Sequence, residues 1–174
     1  MIKDLNKILS DKEYIEIISD LLNNQLVLEM RKYRQHHRVT CYDHCIYVSY
    51  NTYLICKKHN LDYISAARAG LLHDLFLYDW RRRENGRKGL HAFTHPTEAL
   101  KKASSITNLN DKEIDIIKNH MWPVTPRFPK YKETYIITLV DKYFAVVEGF
   151  IKSNNEIKEI EKEKHIYKKG IYNI

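Results

Sequence analysis

Four histidines and two aspartates of this chain combine metal-ligand chemistry with apolar surroundings. His73 and Asp74 stand side by side in GLLHDLFLYDW, and Asp141 stands in IITLVDKYFAVV. Burial of an unpaired carboxylate costs several kcal/mol, so each aspartate needs a cation nearby. Neutral imidazoles with ionised carboxylates are the ligands that a divalent metal requires, and the metal charge offsets the cost of burial. The candidate ligands, in chain order, are His44, His73, Asp74, His95, His120 and Asp141.

Helices have to position these residues, because helix-length periodic segments dominate the chain. Of its 174 residues, 44% are apolar and 29% charged, and it contains only 5 Gly and 4 Pro. This composition is ordinary for a globular domain and favours an all-α fold. We predict a single domain over 1–174, a helical bundle of about 6–8 helices. Its metal-binding core spans about 33–150, with helical extensions at both ends.

Apolar periodicity and capping signals indicate where the helices lie. Asn110 with Glu113 resembles a capping box, and the helix that it opens should end near His120. Pro96 suits the first position of another helix, which would leave His95 at the helix mouth. RQHHRVT is polar and turn-like, and the tail over 152–170 is a charged helix or a frayed end. The remaining predicted helices span about 11–33, 41–59, 63–79 and 133–150.

The second and third of these helices should form an antiparallel pair that folds near Asn60. His44 lies 16 residues before Asn60 and His73 lies 13 residues after it. At about 1.5 Å per residue, the two histidines are at similar distances from the turn and are expected to face each other. Small residues in the third helix should allow another helix to approach closely: Ala66, Ala67, Ala69 and Gly70.

The order of the candidate ligands resembles the HD superfamily of metal-dependent phosphohydrolases. These are all-helical domains in which a first histidine, an HD pair and a distant aspartate bind a divalent metal. Two further histidines between the HD pair and the last aspartate resemble the two-metal branch. The resemblance places the catalytic centre on His73 and Asp74, with Asp74 as the ligand shared by a dinuclear metal site and not the general base. It implies one metal on His44, His73, Asp74 and Asp141, and a second on Asp74, His95 and His120.

The resemblance implies an enzyme that cleaves a phosphate ester or phosphoanhydride of a nucleotide or dinucleotide through a metal-activated hydroxide. Mixed nitrogen and oxygen ligands favour two iron or manganese ions, with zinc, magnesium and nickel as alternatives. Two other interpretations stay open. One is a non-catalytic, metal-stabilised helical module that binds nucleotide or RNA. The other is a metal-free cluster whose polar side chains pair with one another.

The predicted substrate-binding residues depart from the family pattern. Many members carry a lysine soon after the HD pair that contacts phosphate, whereas LFLYDWRRR follows here. Arg81 and Arg82 are candidate replacements, because a guanidinium binds phosphate through two parallel hydrogen bonds. A solvated basic loop is the alternative for each arginine, and a cap over the core is the alternative for Trp122. The other candidates around the site are Trp122, Lys142, Gln35 and His36.

Charge and cysteine content restrict the kinds of partner and the cellular compartment that we expect. The net charge of +7 favours an anionic, phosphate-containing small molecule such as a nucleotide. Nucleic acid stays open, although no predicted helix shows an uninterrupted basic face. An odd number of cysteines (Cys41, Cys45 and Cys56) implies no disulfide framework. With no signal-peptide pattern and no long apolar window, we expect a cytoplasmic protein without a membrane partner. The oligomeric state is not indicated.

Overall fold

A computed structural model describes residues 5–36, 39–82 and 89–148. Within them the chain forms eight α-helices, a short 3-10 helix at Met30–Lys32 and two short antiparallel strands, so the predicted all-α fold is confirmed. None of the helices described is long and apolar enough to cross a membrane. The elements in chain order are α1 (Leu5–Ile8), α2 (Lys12–Leu22), α3 (Gln25–Glu29), β1 (Arg34–His36), β2 (Val39–Thr40), α4 (Cys41–Lys58), α5 (Tyr63–Leu72), α6 (His91–Ile106), α7 (Asp111–Asn119) and α8 (132–148).

The antiparallel pair of α4 and α5 forms the centre of the bundle. Gly70 lies directly against α4, where a Cβ atom added to it would stand 2.7 Å from the Cα of Ser49. The Ser49 hydroxyl donates to the carbonyl of Ala67 at 2.6 Å and fastens the helices at the same place. The predicted close approach is therefore confirmed. It brings His44 next to His73, with ring centroids 5.6 Å apart and ring planes tilted by 47°.

We expect Gly70→Ala to destabilise the protein. The added methyl would meet backbone at a distance that no relaxed contact allows, and overpacking of this kind costs about 1–3 kcal/mol. Because the contact is to backbone, the upper end of that range applies, and it exceeds the gain of about 1 kcal/mol from the better helix propensity of alanine by about 2 kcal/mol. Thermal unfolding should show a melting temperature lower by about 4–8 °C for a domain of this size. A variant as stable as the parent would contradict the close packing of α4 on α5.

α6 begins earlier than predicted, at His91, so Pro96 lies inside the helix and not at its first position. The prediction that His95 sits at the helix mouth was therefore wrong. Local preference disfavours helical backbone before a proline. Here it is outweighed by tertiary packing, because His95, Pro96, Ala99 and Ala103 form the buried face of α6.

Two buried carboxylates fix α7 and the start of α8. Glu113 completes the predicted capping box with Asn110, which is confirmed, and α7 ends at Asn119, next to His120. The Asp115 carboxylate accepts bonds from the backbone N–H of Lys130 at 3.0 Å and from the Thr134 hydroxyl at 2.6 Å. This fastens the proline-rich loop to α7, and the loop leads into α8.

Other boundaries differ from the prediction because local signals end the helices. The helix predicted over 11–33 is interrupted where the Asn24 side chain accepts from Leu26 N–H and caps α3. α5 stops at Leu72, and Leu77 has a φ of 53°, which helical backbone does not allow. RQHHRVT contributes β1 and β2 around residues 37–38, which lie outside the described residues, as does the predicted tail. The three cysteines are free, buried thiols.

Candidate metal centre

All six predicted ligands meet at one place in the bundle, and we call them the ligand cluster. They come from five points of the fold: α4 supplies His44, the end of α5 supplies His73 and Asp74, α6 supplies His95, the end of α7 supplies His120, and α8 supplies Asp141. Five of the side chains are at most 4% exposed, and that of Asp141 is 14% exposed. Helix packing alone therefore collects four imidazoles and two carboxylates in the interior.

One half of the ligand cluster lies between α4 and α8. His44, His73 and Asp141 each offer a ligand atom, and these atoms lie within 4.8 Å of one another. Oδ1 of Asp141 is 3.1 Å from Nε2 of His44 and 3.7 Å from Nε2 of His73. These distances allow the three atoms to surround one ion.

The other half lies between α6 and α7. His73, Asp74 and His120 form a second group whose ligand atoms lie within 4.8 Å of one another. His95 joins it, because its Nε2 is 3.2 Å from Oδ1 of Asp74 and 2.8 Å from Nε2 of His120. The described residues thus contain two adjacent groups that are able to hold metal ions.

His73 belongs to both groups, and Asp74 is the carboxylate of the second group. The Oδ2 atom of Asp74 is 3.6 Å from Nε2 of His73, whereas its Oδ1 atom is 3.2 Å from Nε2 of His95 and 3.6 Å from Nε2 of His120. The two carboxylate oxygens therefore face different histidines. A carboxylate shared by two ions needs this disposition, although the ligand roles themselves stay a prediction.

The backbone fixes the tautomers of three histidines. Nδ1 of His73, His95 and His120 lies 2.8–2.9 Å from the carbonyl of Gly70, His91 and Ile117 respectively. A carbonyl only accepts, so Nδ1 carries the proton, and in the neutral ring Nε2 presents a lone pair to the cluster. A hydrogen bond from the ring nitrogen that faces away from the ion is usual for histidines that bind metals.

Atoms without a hydrogen-bond partner show that the ligand cluster fits a cation. Nε2 of His73 and Oδ1 of Asp74 are fully buried and accept or donate no hydrogen bond. Nε2 of His95 and of His120 face each other at 2.8 Å, which brings two lone pairs together when both rings are neutral. Buried polar atoms are normally satisfied. A divalent cation would satisfy all four atoms at once.

The pKa values of the histidines in the ligand cluster shift in different directions. Burial disfavours charged His44, but the Asp141 and Glu148 carboxylates outweigh it and raise the pKa of His44 well above its usual value. The pKa of His73 is raised for the same reason, chiefly by Asp74. Burial and the neighbouring imidazoles lower the pKa of His120 to about 3.

The pKa values of the two aspartates are lowered. Burial alone would raise their pKa values, but the surrounding imidazoles outweigh it and hold the pKa of Asp74 and of Asp141 far below the ordinary value. Both are carboxylates at neutral pH. Without a metal, imidazolium charge on His44 and His73 compensates them.

A cavity of about 290 Å³ opens onto the ligand cluster. Gln35 closes one side: its amide donates to Oδ2 of Asp74, and its backbone carbonyl accepts from the Trp80 indole at 3.1 Å. Lys142 closes the other side, with its ammonium group donating to the carbonyl of Trp122 at 2.9 Å. The lining residues are Gln35, Asp74, Trp80, His91, Ala92, His95, His120, Met121, Val124, Asp141, Lys142 and Ala145.

The predicted substrate residues fall into two sets. Gln35 and Lys142 line the cavity, whereas Arg81 and Arg82 are exposed and pair with Asp79, at 3.0 and 3.6 Å. Trp122 packs its ring on Phe128 and Tyr135 and is not among the residues that line the cavity. The side chain of His36 lies outside the described part of the chain. No observation tests which residues contact substrate.

Sequence reasoning missed two residues of this region and left a third undecided. Glu148 bonds His44, and Trp80 and His91 line the cavity in a stack that continues onto His95. Glu148 had a usable signal, because it stands seven residues, or two helical turns, after Asp141 and so shares its face of α8. For His91 the sequence left a place at the mouth of the site open.

Comparison of the chain with protein-family models, curated proteins and solved structures finds no match.

Proposed function

We propose that this protein is a metal-dependent phosphohydrolase that acts on a nucleotide-like phosphate compound. The observation that supports the proposal is the ligand cluster, with its unpaired Nε2 of His73 and Oδ1 of Asp74, at the floor of an accessible cavity. A structural polar cluster would satisfy its own hydrogen bonds and would need no cavity. The order of the ligands, which resembles the HD superfamily, supports the same reaction class.

The ligand cluster would hold the metal ions in its two halves, with Asp74 common to both. Bound divalent ions act as Lewis acids toward a phosphoryl oxygen, and they lower the pKa of a bound water molecule to about 7. The surrounding chain keeps bulk water from the ligands, because Leu71, Leu72 and Leu75 are fully buried behind them. Backbone carbonyls hold the rings of His73, His95 and His120 so that no rotation is needed to bind.

Residues at the cavity wall favour an anionic substrate. Lys142 places an ammonium group beside the ligand cluster, and only one of its three N–H donors is used by the Trp122 carbonyl. In many HD-superfamily proteins a lysine soon after the HD pair contacts phosphate. This chain has no lysine there, and Lys142 is placed to make that contact instead. Trp80 and His91, stacked with centroids 5.4 Å apart, form an aromatic wall suited to a base or another flat group.

A substrate screen tests the proposal. Protein loaded with Mn²⁺ or Fe²⁺ would be incubated with mononucleotides, dinucleoside polyphosphates and cyclic dinucleotides, and released phosphate or nucleotide would be quantified. We expect metal-dependent turnover of at least one class and a higher KM in Lys142→Met, because the substrate phosphate loses a cation. Asp79→Asn controls for changes in surface charge near the site.

The same screen separates the alternative interpretations. Nucleotide or RNA binding by the metal-loaded protein, without turnover of any compound, would favour the non-catalytic module. Failure to take up metal under any loading condition would overturn the proposed function and favour the purely structural cluster.

A further inference from the structure

Glu148 is a buried carboxylate in contact with the ligand cluster, and the order of ligands in the chain did not identify it. Its side chain is 1% exposed, and its Oε1 atom lies 3.1 Å from Nδ1 of His44. Its Oε2 atom is buried and has no hydrogen-bond partner. A buried carboxylate with so little compensation is costly unless a positive charge lies nearby.

The geometry points to Glu148 as the positioning residue of His44, an inference that rests on the proposed metal site. His44 lies between two carboxylates of α8, Glu148 at Nδ1 and Asp141 at Nε2, both at 3.1 Å. Asp141 lines the cavity and Glu148 does not. The Nε2 side of the ring is therefore the side that faces a metal, and Glu148 holds the opposite side.

This role fixes the tautomer of His44. Asp141 and Glu148 are both carboxylates and only accept. Once an ion engages Asp141, the bond to Glu148 keeps the proton on Nδ1 and leaves the Nε2 lone pair for that ion. The other three histidines of the cluster achieve the same result with a carbonyl of their own helical turn. At His44 the Nδ1 contact is to a side chain from another helix, the Glu148 carboxylate.

A carboxylate differs from a carbonyl in carrying a full charge. Glu148 would raise the basicity of the His44 ring and add a third negative charge to those of Asp74 and Asp141. It also ties α8 to α4, so that His44 and Asp141 hold their separation before metal arrives. We infer that Glu148 raises affinity at the half of the cluster formed by His44, His73 and Asp141.

Metal titration of matched variants tests this inference. Glu148→Met keeps the size of the side chain but removes the acceptor, and loss of such an outer partner typically costs about 10–100-fold in metal affinity. Mn²⁺ binding measured by calorimetry should weaken by that factor for one ion, with the site of Asp74, His95 and His120 unchanged. Glu148→Gln should lose less, because its amide oxygen still accepts from Nδ1–H. Equal losses in both variants would overturn the assignment.

Glu133→Met is the matched control. Glu133 is also a buried glutamate of α8, but it bonds Asp62 N–H and Lys112, both at 3.0 Å, away from the ligand cluster. This variant should unfold at a lower temperature yet bind Mn²⁺ as the parent does. If Glu148→Met also binds as the parent does, the role of Glu148 is wrong. If the parent itself takes up no metal, the proposed function fails together with this inference.

A measurement on the unaltered protein avoids any folding defect of the variants. Zn²⁺ is diamagnetic, so long-range ¹H–¹⁵N correlation spectra of the Zn²⁺-loaded protein report the tautomer of each histidine. We expect the His44 proton on Nδ1, with Nε2 unprotonated. A His44 ring protonated on Nε2 would overturn the positioning role directly.

Discussion

Asp74→Asn should remove bound transition metal from both halves of the ligand cluster and abolish turnover. The substitution keeps the shape of the side chain but replaces the two charged oxygens that face His73 on one side and His95 with His120 on the other. Asp74 is the carboxylate of the group that it forms with His73 and His120, and His73 also belongs to the other group. Metals supply several kcal/mol of transition-state stabilisation. Since 1.36 kcal/mol corresponds to a factor of ten, we expect a loss of at least about 1,000-fold.

Metal content by mass spectrometry and turnover by product release are the two measurements. Asp79→Asn is the matched control, because Asp79 stands five residues further along and pairs with Arg81 at the surface. It should keep the parent's metal content. Undiminished turnover in Asp74→Asn would refute the shared-ligand role even if one ion were lost.

Sequence was sufficient for the parts of the site that depend on periodicity. The register of His44 against His73 follows from counting residues on both sides of one tight turn, and their rings do lie next to each other. The inward direction of Asp141 follows from its apolar neighbours along α8. Both inferences need only the helix repeat and the cost of burying charge, which act locally.

Features that depend on tertiary packing could not be predicted from the sequence. Local rules place Pro96 at the first position of a helix, but the buried face of α6 carries helical backbone through it and draws His91 into the cavity wall. The predicted helix over 63–79 stops at Leu72, and Leu77 has a positive φ. The pairing of Arg81 and Arg82 with Asp79 depends on this non-helical backbone. Short-range ion pairs of this kind have no periodic signature.

If the proposed ions bind, their removal should lower the melting temperature substantially, because they would connect α4, α5, α6, α7 and α8. A ligand that binds only the folded state at 1,000 times its Kd adds about 4.1 kcal/mol of stability. For a domain of this size each kcal/mol corresponds to about 2–4 °C, so one ion is worth about 8–16 °C. Thermal unfolding with and without a chelator measures this. Asp74→Asn provides the control, because its melting temperature should not respond to the chelator.

The effect of the chelator should grow as pH rises from 6 to 8. In the metal-free protein the raised pKa values of His44 and His73 stabilise the fold fully below their unfolded value of about 6.5, and this contribution is lost as pH rises through the folded values. The lowered pKa values of Asp74 and Asp141 matter only in acid, below about 3.8. Metal binding requires deprotonated imidazoles, so the affinity for Mn²⁺ rises over the same pH range as fewer protons compete for the ring nitrogens. The gap between metal-loaded and chelated melting temperatures should therefore be larger at pH 8 than at pH 6. A gap that shrinks with pH would mean that His44 and His73 do not take part in binding, because only protonated ligands impose this dependence.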